Sequence, residues 1–564
     1  MPSHDHATDS TAQATQGQRG RRDRALLIIV FTALLVLPPV GHHLVVKSDE
    51  ARFVLLARDM LERGAWFSAA VEGQQYRNKP PLFPWTIAAL SRLRGAVTEG
   101  TAQLPAAVAA IAAALCTFLL GDRMFGRRAG LWAALMLATS AGFFIHSQQI
   151  LPDMLVLAFA TASAYAFWRS VTEPASTGAL VGFYAALAFA IFAKGPVGLL
   201  PLLVVVTWLV TEHGLRGVAH LWSPLGIAVF AVVTLFWLGP FLASGSQSFG
   251  EDVVWEDWLA WYLAWPAPRR ILAFLGDAFL GFLPWTLVLL MALGPAIRNR
   301  RDPAVRFVLL SFAVPLLVVI FSRARLVRYL LPVYPAAALL AAWWADTRGT
   351  QPTTLGRVLG WTALAAAGAT LIAVPMLSSL QLPDVEIPAD PLFTWKVLPA
   401  LAGSVLLGLV FLIGLSAGRP GLLVRAGVVV MALLLGYGAW LANGWTEKAE
   451  DFRTLVQTLR RHAPDGQVRV FTAAKLLPLD FYFGREVPRI LSVEALRTYL
   501  EQTDRPTVLI DEQDLRVTPR DLVQDLRVLE TLRIHEQSLY LVGCSGRERA
   551  TGSPRCVGAE PLRR

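Results

Sequence analysis

The sequence predicts a polytopic α-helical membrane protein with a small soluble α/β domain at its C-terminal end. The 564-residue chain is 55% hydrophobic and only 16% charged, whereas about a quarter of the residues in a typical soluble domain are charged. Apolar runs of about 20 residues, the length that crosses a bilayer, recur from Ala25 to Trp440. Because these runs are continuous rather than alternating, they predict helices and not barrel strands.

The first 24 residues are polar and end in the basic cluster RGRRDR. They lack apolar periodicity, which predicts a disordered cytoplasmic leader over residues 1–24. The run from Ala25 to Val46 is too long for the core of a signal peptide and has no small-residue cleavage site. We therefore expect a retained first membrane helix there.

A membrane domain is predicted over residues 25–443, with about thirteen spans. The basic loops RGRRDR, GDRMFGRRAG, RNRRDPAVR and GRPGLLVR fall on one side of this count, which positive-inside bias makes the cytoplasm. The same bias accounts for the net charge of +10, so no nucleic-acid partner is implied. The periplasmic face then receives an amphipathic loop over 47–103 and the C-terminus. The spans are expected near residues 25–46, 103–120, 129–147, 154–169, 178–193, 196–211, 223–243, 271–292, 305–322, 328–345, 357–376, 396–416 and 421–442.

The composition changes after Asn443, where charges increase and apolar runs shorten to the length of strands. VRVFT and TVLID are typical of buried parallel strands, and EDFRTLVQTLRRH and SVEALRTYLEQ have helical spacing. These patterns predict a periplasmic α/β domain over 444–542, followed by a flexible tail over 543–564. Cys544 and Cys556 lie in or beside this tail, and the sequence leaves open whether they are bonded.

The stretch VKSDEARFVLL places two carboxylates and an arginine directly after the first span. Apolar residues at helical spacing predict an amphipathic helix in the membrane interface. Asp49, Glu50 and Arg52 then lie at the mouth of the membrane and are candidate site residues. The alternative is that Ser48 and Asp49 only cap the helix.

A second candidate stretch is YRNKPPLFPW, from Tyr76 to Trp85. Two consecutive prolines hold the backbone at Lys79 outside helical geometry, so its ammonium group takes a defined place. A lysine placed in this way can bind a phosphate as a point charge. Lys79 can equally serve as an interfacial anchor.

Further ionisable residues lie at the ends of spans on the same predicted face. Charged groups at membrane depth are costly and tend to be functional, and a group of guanidinium groups suits a phosphate-bearing ligand. If the span count is wrong by one, the arginines among them are cytoplasmic instead. The residues concerned are Asp153 in SQQILPDML, Lys194 in FAKGPVG, and Arg323, Arg325, Arg328 and Tyr329 in SRARLVRYLLP.

Five stretches, in this order, resemble the 4-amino-4-deoxy-L-arabinose transferases and related bacterial glycosyltransferases of the protein-mannosyltransferase superfamily. They are SDEARFVLLARDMLERGAWFSAAVEGQQYRNKPPLFPW, FFIHSQQILPDMLVLAFATASAYAFW, FAKGPVG, GFLPWTL and RYLLPVYPAAALLAA. The resemblance covers the membrane region. It implies a GT-C fold in the bacterial inner membrane, a periplasmic active site, a polyprenyl-phosphate sugar donor, and a lipid or glycan acceptor such as lipid A, with inversion at the anomeric carbon.

The resemblance also implies roles for individual residues. Lys79, Lys194 and the arginine group would hold the carrier phosphate, while Asp49 would orient or deprotonate the acceptor with support from Asp153. Glu50 would extend the site or serve only the start of the helix. The remaining matches are the donor-side residues Arg52, Tyr76, Tyr329 and either Arg269 or Arg270.

One departure from the family concerns metal. Arabinose transferases often carry EKPP, whose glutamate can join a histidine of a later loop in a metal site. This chain has Asn78 at that position and no histidine between His220 and His462. The sequence therefore predicts no zinc site of that kind, implies no cofactor firmly, and leaves a divalent metal open.

The sugar itself is also left open by the sequence. The rival hypotheses are a transferase of the same fold that adds another sugar to a glycan or protein, and a flippase for a lipid-linked sugar. Acidic groups or broken helices in the middle of the spans would favour a transporter, and the sequence shows neither.

Overall fold

The computed structural model describes the chain from Asp5 to Cys556. The description omits residues 77, 174–176, 244–267, 323–325, 380–390, 450, 464–466, 473–475, 504–505, 520–521, 523–526, 535–536, 544–546 and 549–554. Arg323 and Arg325, two of the predicted site residues, lie outside the described residues.

Helices account for most of the described chain. They are α1 Asp5–Val36, α2 Ser48–Arg63, α3 Leu82–Arg94, α4 Glu99–Phe125, α5 Arg127–Ala138, α6 Ala141–Gln148, α7 Asp153–Thr172, α8 Thr177–Lys194, α9 Leu200–His213, α10 Pro224–Ala243, α11 Pro268–Gly281, α12 Thr286–Arg298, α13 Pro303–Ile320, α14 Tyr334–Thr347, α15 Thr354–Ser379, α16 Pro391–Ser416, α17 Pro420–Ala449, α18 Phe452–His462, α19 Leu477–Phe483, α20 Val493–Gln502 and α21 Glu512–Val517.

The strands are short and lie mainly near the C-terminus. They are β1 Ala70–Val71, β2 Gln74–Gln75, β3 Val468–Phe471, β4 Thr507–Asp511, β5 Arg527–Ile534, β6 Gln537–Gly543, β7 Arg547–Glu548 and β8 Arg555–Cys556. Short 3-10 helices cover Pro196–Leu199, Leu215–Leu221 and Val327–Val333.

Within the described residues, eight helices are long and apolar enough to cross a membrane, or up to ten if each bent pair counts as one span. The multi-span prediction is confirmed, whereas the count of thirteen is not. Two predicted spans are broken, since α5 and α6 meet at 57° and α11 and α12 at 108°. The predicted tenth span begins as a 3-10 helix, so that α14 has only 14 residues.

The first helix differs from the sequence-based expectation at both ends. Residues 5–24, predicted to be a disordered leader, continue the apolar helix α1 without a break. Adding residues to an existing helix avoids the cost of nucleation, which explains how a polar segment becomes helical. At its other end α1 stops at Val36, ahead of Pro38 and Pro39, which cannot continue a helix.

The chain divides into two compact units. The first contains residues 1–41, 60–69 and 75–441, and therefore most of the apolar helices. Small residues let its helices approach closely, as membrane helices commonly do. A Cβ on Gly121 of α4 would lie 2.7 Å from the Cα of Gly130 on α5.

The second unit is built on a four-stranded sheet in the order β3-β4-β6-β5. Strands β3 and β4 are parallel, as the sequence predicts, with Val468 opposite Thr507. Strand β6 runs antiparallel to both β4 and β5. Helix α18 packs its apolar face, including Phe452, Leu455 and Leu459, into the core beneath this sheet.

The second unit also includes residues 42–59 and 70–74, which the sequence analysis assigned to a loop of the membrane domain. Leu44 and Val46 are 5% and 4% exposed and belong to the same buried cluster as Phe452 and Leu541. Burial of each contributes about 1.5–3 kcal/mol at most. The apolar residues after Pro39 therefore complete a distant core rather than extend α1.

Candidate functional site

The loop around Lys194 owes its shape to glycines. Lys194 is the last residue of α8, and Gly195 has φ +80°, a value that L side chains rarely adopt. After Pro196, the 3-10 helix returns so close to α8 that a Cβ on Gly198 would lie 2.4 Å from the carbonyl carbon of Ala190. The FAKGPVG stretch thus holds Lys194 at a fixed helix end.

Asp153 begins α7, one residue after Pro152. The helix dipole favours a carboxylate at this end of a helix. The preceding helix, α6, ends at Gln148, so four residues separate the two helices. The turn places the carboxylate of Asp153 inside the first unit, where its side chain is only 6% exposed.

Lys194 and Asp153 form a buried ion pair, in which Lys194 Nζ donates to Asp153 Oδ1. The side chain of Lys194 is 8% exposed. Its ammonium group also lies 4.2 Å from the centre of the Tyr329 ring, within the range of a cation–π interaction. A buried charge requires partners of this kind. The structure thus brings together three of the predicted site residues.

More positive charge surrounds this pair. Arg328 Cζ lies 5.9 Å from the centre of the Tyr329 ring. Arg328 and Lys79 both lie near enough to Lys194 to repel its charge. Three cationic side chains thus accompany the carboxylate of Asp153. This excess of positive charge suits an anionic ligand such as a phosphate.

Aromatic packing holds the loop that carries Lys79. The Trp85 ring lies 5.0 Å from Phe67 and 5.2 Å from Phe192, centre to centre. Trp85 Nε1 also donates to the carbonyl oxygen of Trp66 at 2.6 Å. Because Phe192 precedes Lys194 by two residues, the same contacts anchor the loop beside the end of α8. Tyr76 lies in this loop and donates its backbone N–H to Ala69 O at 3.0 Å.

His146 is a member of the site that the sequence analysis missed. It lies on α6, near enough to Asp153, Arg328 and Lys194 for electrostatic interaction with these charges. Its Nδ1 lies 2.7 Å from Gln149 Oε1. The available signal was its place in the HSQQILPD stretch, seven residues before Asp153. The bend of 57° between α5 and α6, which divides the predicted span over residues 129–147, has no clear pattern in the sequence.

An apolar pocket lies further along the same elements. Thr161, on its wall, is eight residues from Asp153, or about 12 Å along a helix. Val197 and Pro332 are also on the wall. Val197 lies three residues after Lys194, and Pro332 lies three residues after Tyr329. The lining is almost entirely hydrophobic, with Thr161 and Ser311 as its polar members. Such a surface suits a hydrocarbon chain.

The remaining predicted residues lie elsewhere or are not described. Asp49, Glu50 and Arg52 belong to α2 in the second unit. Arg270 is in the first turn of α11, but its side chain, like that of Arg269, is outside the described part. The structure does not describe the side chains of Cys544 and Cys556 either.

The two carboxylates at the start of α2 differ sharply. Glu50 is 1% exposed, and its Oε1 and Oε2 atoms lie 3.2 and 3.1 Å from His43 Nε2. The side chain of Asp49 is 49% exposed and accepts a hydrogen bond from Arg52 Nη1 at 3.1 Å. Only Asp49 is therefore accessible to a ligand.

No group of three His, Cys, Asp or Glu side chains that would hold a metal ion occurs among the residues that the structure describes. The charged side chains around the Lys194–Asp153 pair are mainly cations, which repel a metal ion.

Comparison with known proteins gives consistent results. Residues 78–238 match the model of the dolichyl-phosphate-mannose-protein mannosyltransferase family. An undecaprenyl phosphate-alpha-4-amino-4-deoxy-L-arabinose arabinosyl transferase of Shewanella sediminis is 25% identical over 56% of this chain and 59% of its own length. A protein of the same name from Pectobacterium carotovorum is 25% identical over 73% of this chain and 75% of its own. The match thus spans about three fifths of the first relative.

The fold agrees with a solved structure. The crystal structure of ArnT from Cupriavidus metallidurans bound to undecaprenyl phosphate matches with a TM-score of 0.73 at 19% identity. The match covers 92% of this chain and 97% of that chain. The GT-C fold expected from the sequence is therefore confirmed.

Proposed function

We propose that this protein, which resembles the 4-amino-4-deoxy-L-arabinose transferases in sequence and has their GT-C fold, is a polyprenyl-phosphate-dependent glycosyltransferase of the bacterial inner membrane. It moves a sugar from the lipid carrier to an acceptor at the periplasmic face. The observation that carries the proposal is the buried Lys194–Asp153 pair with Tyr329, Arg328 and Lys79 around it.

The cationic cluster would act on the leaving group. In the transfer step, the bond between the anomeric carbon and the phosphate oxygen breaks while a bond to the acceptor oxygen forms on the opposite face of the sugar. The electron pair of the broken bond goes to the polyprenyl phosphate. Lys79, Lys194 and Arg328 neutralise the charge that grows there, which lowers the barrier.

Asp153 would serve as a positioning residue. Its carboxylate holds the ammonium group of Lys194 and reduces the repulsion among the cations before the phosphate arrives. This assignment departs from the sequence-based hypothesis, in which Asp153 supported the acceptor side. Glu50, buried against His43, would likewise stabilise the start of α2 rather than take part in chemistry.

Asp49 remains the candidate for the acceptor side. Its accessible carboxylate can accept the proton of an acceptor hydroxyl group, or only position an acceptor phosphate that is already ionised. Asp49→Asn should then abolish transfer to a hydroxyl acceptor while undecaprenyl phosphate still binds. Unchanged transfer by this variant would exclude Asp49 from the acceptor side.

The proposal also names the sugar that is transferred and the acceptor that receives it. We favour 4-amino-4-deoxy-L-arabinose and lipid A, since the named relatives are arabinosyl transferases. The match to the mannosyltransferase family model over residues 78–238 supports a second candidate, transfer of a hexose to a glycan or protein.

The test uses the full-length protein in lipid vesicles with undecaprenyl phosphate-linked 4-amino-4-deoxy-L-arabinose or mannose. Lipid A, glycan and peptide acceptors are offered separately, and the products are identified by mass spectrometry. We expect a mass increase of one aminoarabinose on lipid A, lost in Lys194→Ala and retained in Lys396→Ala, an exposed lysine of α16. Lipid movement across the vesicle without any transfer would contradict the proposal and favour a flippase.

A further inference from the structure

Helix α2 is attached to the C-terminal sheet domain through Arg58. Its guanidinium group donates to two consecutive carbonyl oxygens, Asp480 O at 3.0 Å from Nη1 and Phe481 O at 2.8 Å from Nη2. The same group lies 5.3 Å from the centre of the Phe481 ring. A planar fork that bonds two acceptors fixes both the position and the direction of the side chain.

The segment that leads into α2 is held as well. Val45 donates its backbone N–H to the hydroxyl oxygen of Tyr482 at 3.0 Å. Leu44 and Val46, on either side of it, are buried in the core of the domain. Contacts therefore fix α2 before its first turn and again near its C-terminal end.

A third attachment joins the turn between β1 and β2. Glu72 Oε1 lies 2.7 Å from Arg489 Nη2, and the same nitrogen lies 3.5 Å from Asp480 Oδ2. Asp480 is 2% exposed and also accepts the backbone N–H of Val487 at 2.9 Å. Charged groups buried to this extent are costly unless paired, so the network ties residues 70–74 to one arrangement.

We propose that the C-terminal domain positions α2, with Arg58 as the main positioning residue, so that Asp49 and Arg52 are presented in a fixed orientation for transfer. A helix held near both ends moves as a rigid body with the domain, and Asp49 lies between the two attachments. The domain is then part of the catalytic apparatus rather than an appended module. The inference rests on the proposed function, in which Asp49 acts on the acceptor.

The test compares three variants of the full-length protein in lipid vesicles. Arg58→Ala removes both bonds to α19, and Arg58→Lys keeps the positive charge and a donor nitrogen but loses the planar two-nitrogen fork. Tyr482→Phe removes only the hydroxyl oxygen that accepts from Val45 and keeps the partly buried ring. The control is Arg516→Ala, whose side chain is 73% exposed and pairs with Glu512 on α21.

Three quantities are measured, namely kcat for transfer, the Kd of undecaprenyl phosphate, and amide hydrogen exchange across residues 48–59. For Arg58→Ala we expect kcat to fall about tenfold or more, since small misplacements of reacting groups are costly. Exchange in α2 should rise, while Kd changes less than about twofold because Lys79, Lys194 and Arg328, the residues proposed to hold the phosphate, belong to the first unit. Arg58→Lys should recover part of kcat, Tyr482→Phe should show a smaller loss, and the control should match the wild type.

The outcomes separate the inference from the proposed function. If the wild type transfers sugar and Arg58→Ala keeps its full kcat despite faster exchange in α2, the positioning role is wrong. Unchanged exchange in both Arg58→Ala and Tyr482→Phe would show that the domain does not hold α2, whatever the activity. Absence of transfer by the wild type would instead contradict the proposed function, and the exchange data would still decide whether the attachment exists.

Discussion

Lys194 donates to the carboxylate of Asp153 while both side chains are more than nine-tenths buried. The partners come from opposite kinds of helix terminus, since Asp153 opens α7 and Lys194 closes α8. Each charge is thereby placed where the helix dipole favours it. The pair is therefore pre-formed before any ligand binds.

The first prediction separates the contribution of this pair to stability from its contribution to sugar transfer. Lys194→Met leaves a buried carboxylate unpaired and should lower the free energy of unfolding by about 3–5 kcal/mol. Asp153→Asn/Lys194→Met should recover most of this stability because no unpaired charge remains. Transfer should stay reduced by about 10²-fold or more in both variants. Thermal unfolding in detergent and transfer rates check the two effects, and recovery of transfer in the double variant would exclude Lys194 from the reaction.

The second prediction concerns His146, which lies beside the cationic cluster. Its imidazole, oriented by Gln149, is expected to form one hydrogen bond to the carrier phosphate. His146→Ala should then weaken undecaprenyl phosphate binding about tenfold, the value of one hydrogen bond to a charged group. His220→Ala serves as the control, since that ring contacts Ser170 Oγ at 3.0 Å. Equal Kd values for both variants would remove His146 from the donor site.

The sequence singled out Asp153, Lys194 and Tyr329, which the structure brings together. Asp153 and Lys194 were found because ionisable residues at span ends are rare and costly. The glycine and proline beside Lys194 also indicated a turn. Membership of α2 in the second unit was not predictable, because Leu44 and Val46 read as the end of an apolar span and their partners lie more than 400 positions away. The bend between α5 and α6, the helix that carries His146, was missed for a similar reason, since tertiary packing decides whether a continuous apolar run bends.

The third prediction addresses the close approach at Gly198. A methyl group there would lie 2.4 Å from backbone atoms of α8, so Gly198→Ala must displace the 3-10 helix that follows Lys194. We expect a loss of about 1–3 kcal/mol in the free energy of unfolding, as for overpacked sites, together with lower transfer. Gly178 lies in α8, and a Cβ added there would have no atom within 4 Å. Gly178→Ala should therefore be neutral or slightly stabilising. Similar thermal stability of the two variants would contradict the close approach.

The fourth prediction tests whether the apolar pocket receives the hydrocarbon chain of the carrier. Ala164 lies on its wall, and Ala164→Trp should fill part of the space. Binding of undecaprenyl phosphate should weaken about tenfold or more, at about 0.8 kcal/mol for each CH₂ group that loses burial. Binding of a short-chain analogue, farnesyl phosphate, should change much less because its phosphate contacts remain. An equal loss for both lipids would show that the chain lies elsewhere.

The last prediction is a pH dependence of stability in the second unit. Burial raises the pKa of the Asp480 carboxyl from 3.8 to about 6, outweighing the opposite effects of the Val487 N–H and Arg489. The folded state therefore holds a proton that the unfolded state has lost between these pH values. The free energy of unfolding should then fall as pH rises from about 4 to about 6, by on the order of 3 kcal/mol in total.

Asp480→Asn isolates this contribution because it retains an oxygen that accepts the Val487 N–H and cannot ionise. Amide exchange of β3, β4 and β6, measured in the full-length protein between pH 4 and 7 and corrected for intrinsic rates, reports the stability of the unit. We expect the decline with pH to be smaller in Asp480→Asn than in the wild type by about 3 kcal/mol. Since the same carboxylate contacts Arg489 and, through it, Glu72, exchange at residues 70–74 should follow the same trend. Identical pH profiles in the two proteins would show that Asp480 has a similar pKa in the folded and unfolded states.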